Sequence, residues 1–356
     1  MVLLLTLFYL TACKKTATTS ALSTMGSGLA TVYVAGGISV VTSNDVGPTH
    51  HVICWKNGVP TVLTADESFS TSITLNDSDV YVTGELTKGN SADIAAYWKN
   101  GNQVELTDGS TNSIANALAV NGTDVYAVGY TGASNGEQVA ACWKNGVMTL
   151  LASGSFYSRA TGIAIDGNDV YVVGQFMNGH LDSSTVMVWK NGVAQSYTDY
   201  PFSYANCATF ADSSLYIGGT STSGNGWSNA ITTWQNFVPS LVAIESAPSQ
   251  VNAIAVSNGD VYAVGSTGGV GNTEVAGYWK NGVPLPLTGF GQYSWASGVA
   301  VNGQDVYISG SNDNGQLPWQ AFYWVNGVMV PLSDGNTSTS LYTSGIAVRS
   351  STVIDK

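Results

Sequence analysis

Little in this chain could do covalent chemistry. It has three histidines, His50, His51 and His180, and two arginines, Arg159 and Arg349. His50-His51 is read as lying in the first of the loops between second and third strands (the b–c loops described below) and His180 in the fourth, so the three should not converge and a three-histidine metal site is not expected. Two arginines are too few for a site that grips carboxylate or phosphate with several guanidinium groups. No Walker loop or H-E-x-x-H motif occurs. One catalytic option remains, an acid–base pair of loop carboxylates such as Asp66 or Glu67 with Asp108, acting on a polysaccharide or another envelope polymer. Asp79, Asp124, Asp169, Asp260 and Asp305 each precede Val-Tyr. They read as turn and strand-start residues, and the segments around them lack the full oxygen-ligand pattern of a calcium loop. No cofactor and no metal are expected.

Binding chemistry is better represented. Aromatic side chains gather in segments that differ along the chain: Phe69, Phe156, Tyr157, Tyr200, Phe202, Tyr204, Phe290, Tyr293, Trp295 and Tyr342, with Trp227 and Trp319 in a second set. Such residues stack on sugar rings or anchor protein contacts, or they pack beneath their own loops. A column of short polar residues accompanies them: Thr71, Asn116, Thr161, Asn206, Asn252, Ser297 and Ser344. These would form a polar funnel for a small ligand, water or an ion, or they would satisfy neighbouring backbone groups. The candidate ligand-binding residues are Tyr157, Phe202, Tyr204, Trp227, Tyr293, Trp295 and Trp319, together with Asn116, Asn206 and Asn252.

What positions these residues is a repeat. Trp55, Trp98, Trp143, Trp189, Trp234, Trp279 and Trp324 follow one another at spacings of 43, 45, 46, 45, 45 and 45. Asp-Val-Tyr recurs with them, as at Tyr81, Tyr126, Tyr171, Tyr262 and Tyr307, and so does a small-apolar run of the "GIAV" type. Self-similarity of this length marks a repeat architecture. Each unit reads as four short strands: a ("GIAV"), a tight turn, b ("DVYVVG"), a variable loop, c ("YWK"), then Asn-Gly and d ("VPLPL"). Asn-Gly between apolar runs is a strong hairpin signal, because both central residues take positive φ. The fold expected is all-β, a seven-bladed β-propeller of four-stranded antiparallel blades. The first unit lacks strand a and the last stops just after one, so Gly345–Val348 should pair with Thr31–Ala35 and close the ring. Strand a alternates large residues (Ile73, Leu118, Ile163, Ile254) with small ones (Thr74, Ala119, Ala164, Ala255), as face-to-face blades require. The repeated Trp is frame. The a–b and c–d turns form a plain face, and the b–c and d–a loops form a variable one that carries the aromatics.

The repeat length and the single Trp per unit resemble WD40 and kelch-like propellers, and "YVAGG" and "YIGGT" are similar to the kelch double glycine. The Gly-His and Trp-Asp dipeptides of WD40 repeats are missing, so the resemblance, over residues 29–356, implies architecture alone. The N-terminal "MVLLLTLFYLTACKK" is too short to span a bilayer. It resembles the lipobox of bacterial lipoproteins, with Leu10, Thr11 and Ala12 before Cys13, although no Lys or Arg precedes the apolar run. That resemblance implies a signal peptide at 1–12, a lipidated Cys13 and a tether at 13–28, and hence a cell-envelope, extracytoplasmic protein held on the outer membrane or cell surface. The alternative is an ordinary cleaved secretory signal.

Net charge is −12, with no basic face for phosphates, so nucleic acid is excluded as a partner. Cys54, Cys142 and Cys207 fall in separate repeats and are expected as small buried groups without disulfides. The function expected is that of a binding or interaction module, a monomer whose variable face meets a protein or a glycan. A purely structural envelope role is the third option.

Overall fold

The computed structural model describes residues 30–350 apart from 41–47, 90, 134–136, 153–156, 178–183, 198–202, 223–228, 245–248, 269–273, 290–292, 314–317 and 337. Cys13, Phe156, His180, Tyr200, Phe202, Trp227 and Phe290 lie outside the described residues. Seven antiparallel sheets of four strands each are present, ordered a-b-c-d. Blade 1 combines strand a (Ser340–Ser350) from the end of the chain with strands b (Ala30–Val40), c (Thr49–Lys56) and d (Val59–Val62). Blades 2 to 7 follow in chain order. Their strands a are Glu67–Asn76, Ser113–Asn121, Tyr157–Asp166, Tyr204–Ala211, Gln250–Ser257 and Tyr293–Asn302. Each strand a touches the strand a of the next blade all the way around, so the array is a closed seven-bladed propeller. The closing register is the expected one, with Tyr33 opposite Ala347 and Ala35 opposite Gly345.

The core lies in the wedges between blades. Trp55 packs with Tyr307, Tyr323 and Leu332 of blade 7, and Trp98 packs with Tyr33 and Val52 of blade 1. Trp55, Trp98, Trp143, Trp189 and Trp324 are all 0% exposed, which removes them as ligand contacts. The Trp55 and Trp324 indoles donate to the carbonyls of Ser333 and Thr288 in the preceding blades. Ile73 and Ile163 fill the wedge behind their own blade, and the small residues after them admit the blade in front.

The plain face is built from the two most repeated motifs meeting each other. In blade 3, Asn145 and Gly146 take φ of 51° and 82°, which reverses the chain between strands c and d. Asn145 Oδ1 accepts the Val125 N–H at 2.8 Å, and its Nδ2 donates to Asp124 Oδ1 at 2.8 Å. Lys144 Nζ reaches Asp124 Oδ2 at 2.8 Å and lies over the Tyr126 ring. That lysine bond, with the Asn145 bond, holds the Asp124 carboxyl below the usual carboxylate range. Blades 2, 4 and 6 repeat the arrangement at Asp79, Asp169 and Asp260. The lysines and aspartates of these four blades are thus engaged with one another. Blade 5 departs from the pattern, with Phe237 at φ 70° in the place of the glycine.

Candidate functional site: the bulge ring and the variable rim

Every strand a contains one extra residue where its pairing with strand b shifts register, a β-bulge. The extra residues are Thr71, Asn116, Thr161, Asn206, Asn252, Ser297 and Ser344, the whole polar column of the sequence. Each bonds forward to the next blade. Thr71 Oγ1 donates to Ala115 O at 2.6 Å, and Asn116 Nδ2 to Ala160 O at 2.8 Å. Thr161 donates to Ala205 O at 2.7 Å, Asn206 to Val251 O at 2.8 Å and Asn252 to Ala296 O at 2.9 Å. Ser297 bonds the Thr343 hydroxyl and Ser344 the Ser70 hydroxyl, both at 2.8 Å, which completes the circle. Between blades 7 and 1 the hydroxyls of Ser297, Ser309, Ser311 and Thr343 form a small network. The ring surrounds an axial channel of about 270 Å³, lined also by Ile73, Leu118, Ile163 and Ile254. Its side chains satisfy backbone carbonyls and hydroxyls while lining that channel.

The bulge also explains a glycine that recurs in strand b. A Cβ on Gly129 would lie 1.9 Å from the Ile114 carbonyl oxygen, and one on Gly84 1.9 Å from that of Phe69. The bulged strand thus drives a carbonyl onto the neighbouring strand, where only glycine leaves room.

Past the bulge the blades cease to resemble one another. Two residues before it in strand a stand Phe69, Ile114, Arg159, Tyr204, Gln250, Trp295 and Tyr342. Opposite them in strand b stand Glu85, Tyr130, Gln175, Thr220, Ser266, Ser311 and Gly37. These pairs form the rim of the variable face. Sequence reasoning placed Phe69, Tyr157, Tyr204, Tyr293, Trp295 and Tyr342 in d–a loops and His50-His51 in a b–c loop. The structure corrects both assignments: the aromatics lie within strands a, and the histidines lie at the start of a strand c. Strand a runs further than its "GIAV" core because the bulge bends it and buried serines carry it on. Ser68, Ser158 and Ser294 accept N–H bonds from Val52, Ala140 and Ala276 of the preceding blades.

At blade 7, Trp295 and Trp319 meet edge to face, with ring centroids 5.7 Å apart at 81°. Tyr293 beside them is 43% exposed. The Trp319 backbone bonds Ser340 Oγ and the Leu341 N–H, so this corner sits against the closing strand of blade 1. Tyr157 and Tyr204 stand half-buried at the heads of strands a in blades 4 and 5. The structure therefore brings Tyr293, Trp295 and Trp319 together and sets Asn116, Asn206 and Asn252 in the ring below. Asp108 accepts the Ser110 N–H, and the His51 ring bonds the Asp66 carbonyl oxygen. The His50 ring lies against Phe69, with centroids 4.6 Å apart and planes tilted by 32°. Among the described residues no three His, Cys, Asp or Glu side chains gather to hold a metal. Cys54, Cys142 and Cys207 are free thiols, pushed by burial up to about 12, 11 and 12.

Sequence reasoning missed Glu85, whose only signal was its place in the rim column. Its Oε2 is buried without a hydrogen-bond partner. Burial first, then the nearby negative charge of Asp93, pushes its carboxyl up to about 7. In an unfolded chain a glutamate titrates near 4.3. The folded state thus holds an extra proton between those values, and stability present below about pH 4 is lost as pH rises through about 7. Unfolding free energies from urea titrations at pH 5 and pH 8 should differ by about 2 kcal/mol from this group, and Glu85→Gln should remove that share of the difference. An unchanged pH dependence in the variant would refute the assignment.

No protein-family model matches the chain, and no curated protein sequence matches it. Its fold is similar to those of several solved proteins. The β-propeller domain of the Trilobed protease from Pyrococcus furiosus, described as having an open velcro topology, superposes with a TM-score of 0.56 at 12% identity, over 86% of this chain and 93% of that one. An acylaminoacyl peptidase from Pyrococcus horikoshii gives 0.56 at 11% identity over 85% of this chain and 51% of that one. A puromycin-hydrolyzing peptidase from Mycobacterium tuberculosis gives 0.54 at 13% identity over 84% of this chain and 52% of that one. This chain spans about half the length of those two peptidases. At these identities the likeness establishes the propeller fold.

Proposed function

We propose that this propeller is a binding module whose variable face engages a protein or a glycan, carried on the cell envelope by a lipid on Cys13. The observation that supports this most is the change at the bulge ring. Below it blades 2, 3, 4 and 6 repeat the same ion pair and turn, and above it each blade presents a different pair of side chains. A scaffold of constant frame with one variable surface is the usual architecture of recognition. Half-buried Trp295 and Trp319 with exposed Tyr293 supply the rigid aromatic surface that dominates binding energies. The exit of the tether agrees with this reading. Ala30 pairs with Ser350 at the plain-face end of blade 1, so a lipid on the preceding segment would leave the variable face pointing away from the membrane.

The test joins glycan arrays with affinity capture from envelope extracts, using the purified full chain. A specific binder should lose about tenfold or more in affinity on Trp295→Ala or Trp319→Ala, and Lys144→Ala on the plain face should change nothing. Cys13→Ser should move the protein from the membrane fraction to the soluble one. A binder sensitive to Lys144 and indifferent to both tryptophans would overturn the face assignment. A membrane-bound Cys13→Ser variant would overturn the anchor.

A further inference from the structure

Between blades 5 and 6, just above the ring, lies a cavity of about 310 Å³. It is lined by Tyr204, Asn206 and Thr220 of blade 5 and by Gln250, Ser266 and Glu274 of blade 6, among others. Two of these are already committed: Thr220 donates to a backbone carbonyl, and Asn206 holds its ring bond to Val251. The remaining four are idle. Tyr204, Gln250 and Glu274 make no side-chain hydrogen bond to a described residue. Ser266 is 1% exposed, and its hydroxyl has no partner. The reason for that vacancy is local. In blade 7 the equivalent Ser311 bonds Thr343 of the next blade, whereas the residue that follows Ser266 around the ring is Ala296. A buried hydroxyl left unpaired costs free energy unless something supplies a partner.

We infer that this cavity is a subsite for one neutral sugar residue of a glycan, and the inference rests on the proposed binding role of the variable face. Four features select that chemistry. The groups offered are an amide, a carboxylate and hydroxyls, which both donate to and accept from vicinal hydroxyl groups. A tyrosine ring beside them supplies an apolar face for the C–H side of a pyranose. No Lys or Arg is among the described lining residues, and the chain carries a net charge of −12, so an anionic ligand finds no counter-charge among them. The volume falls at the small end of the range for small-molecule sites, about 300–1,000 Å³, and admits a single ring. Glu274 accepts from two hydroxyls, Gln250 completes the polar contacts at the mouth, and Tyr204 forms a wall.

The experiment uses the full chain on a printed array of neutral oligosaccharides ending in glucose, galactose, mannose or N-acetylglucosamine, with sialylated and sulfated controls. Hits are then titrated against Gln250→Ala, Glu274→Gln, Tyr204→Ala and Trp295→Ala. Gln250 is exposed and Glu274 half-buried at a strand end, so their variants are expected to keep the fold, which circular dichroism and melting check independently. Binding of a neutral end group that falls about tenfold or more in each of the Gln250 and Glu274 variants supports the subsite. Preference for sialylated or sulfated glycans overturns it. Neutral-glycan binding lost only with Trp295→Ala overturns the subsite and leaves the variable-face role standing, as does capture of a protein partner with no glycan hit. Absence of any binder overturns both.

Discussion

Deletion of residues 340–356 is expected to abolish cooperative folding. Those residues supply strand a of blade 1, which pairs with Ala30–Val40 along its whole length. Their loss would uncover Val34, Ile38 and the Trp55 wedge, where Leu341 and Ile346 are buried. Two such side chains alone account for about 3–6 kcal/mol at the usual 1.5–3 kcal/mol each. The ring bonds from Ser297 to Thr343 and from Ser344 to Ser70 would go as well, so blades 7 and 2 would both lose their ring bond to blade 1. A domain of this kind holds only about 5–15 kcal/mol in reserve, and an unpaired strand edge invites aggregation. Urea unfolding followed by tryptophan fluorescence should show a broad, low-midpoint transition or an insoluble product. A truncated protein with the parent's sharp transition would mean that the ring does not depend on its closure.

Gly129→Ala should destabilise the protein by about 3 kcal/mol, at the upper end for inserting a methyl group into a packed site. The obstacle is the Ile114 carbonyl oxygen, 1.9 Å from the new carbon. Backbone cannot swing aside as a side chain can, so the bulge itself must shift. The bulge carries Asn116, whose bond to Ala160 joins blade 3 to blade 4. A change in strand b would thus be felt between two blades. Gly146→Ala gives the control. Nothing lies within 4 Å of a carbon added there, and the cost is the left-handed φ of 82° alone, ~1 kcal/mol. Parallel thermal melts decide the matter. Equal effects of the two substitutions would show that conformation, not crowding, governs the Gly129 position.

Much of this frame was legible beforehand because it repeats. The Trp spacing, the Asn-Gly turns and the shared first blade each follow from patterns that seven copies make plain. The polar column was legible too, but its partners were not. Asn116 finds Ala160 only once the strands a stand side by side with a bulge in each, and nothing local signals a bulge. The length of strand a was misjudged for a different reason. "ESFSTS" looks like a loop because its serines are polar, yet Ser68 and Ser70 are buried and bonded across blades. The rim escaped detection because it is where self-similarity stops. Glu85 and Ser266 share one structural position and differ in every chemical respect, so comparing repeats averages them away.

A circle made from one thread has a seam, and here the seam passes beneath two indoles. Trp319 clasps the head of the final strand through its own main chain while its ring leans on Trp295. Whatever settles on that corner fastens the weld beneath it. Pulling apart Ala30 and Ser350, which pair with each other at the opposite edge, would therefore meet greater resistance when the corner is occupied, and the molecule would register its visitor as mechanical strength.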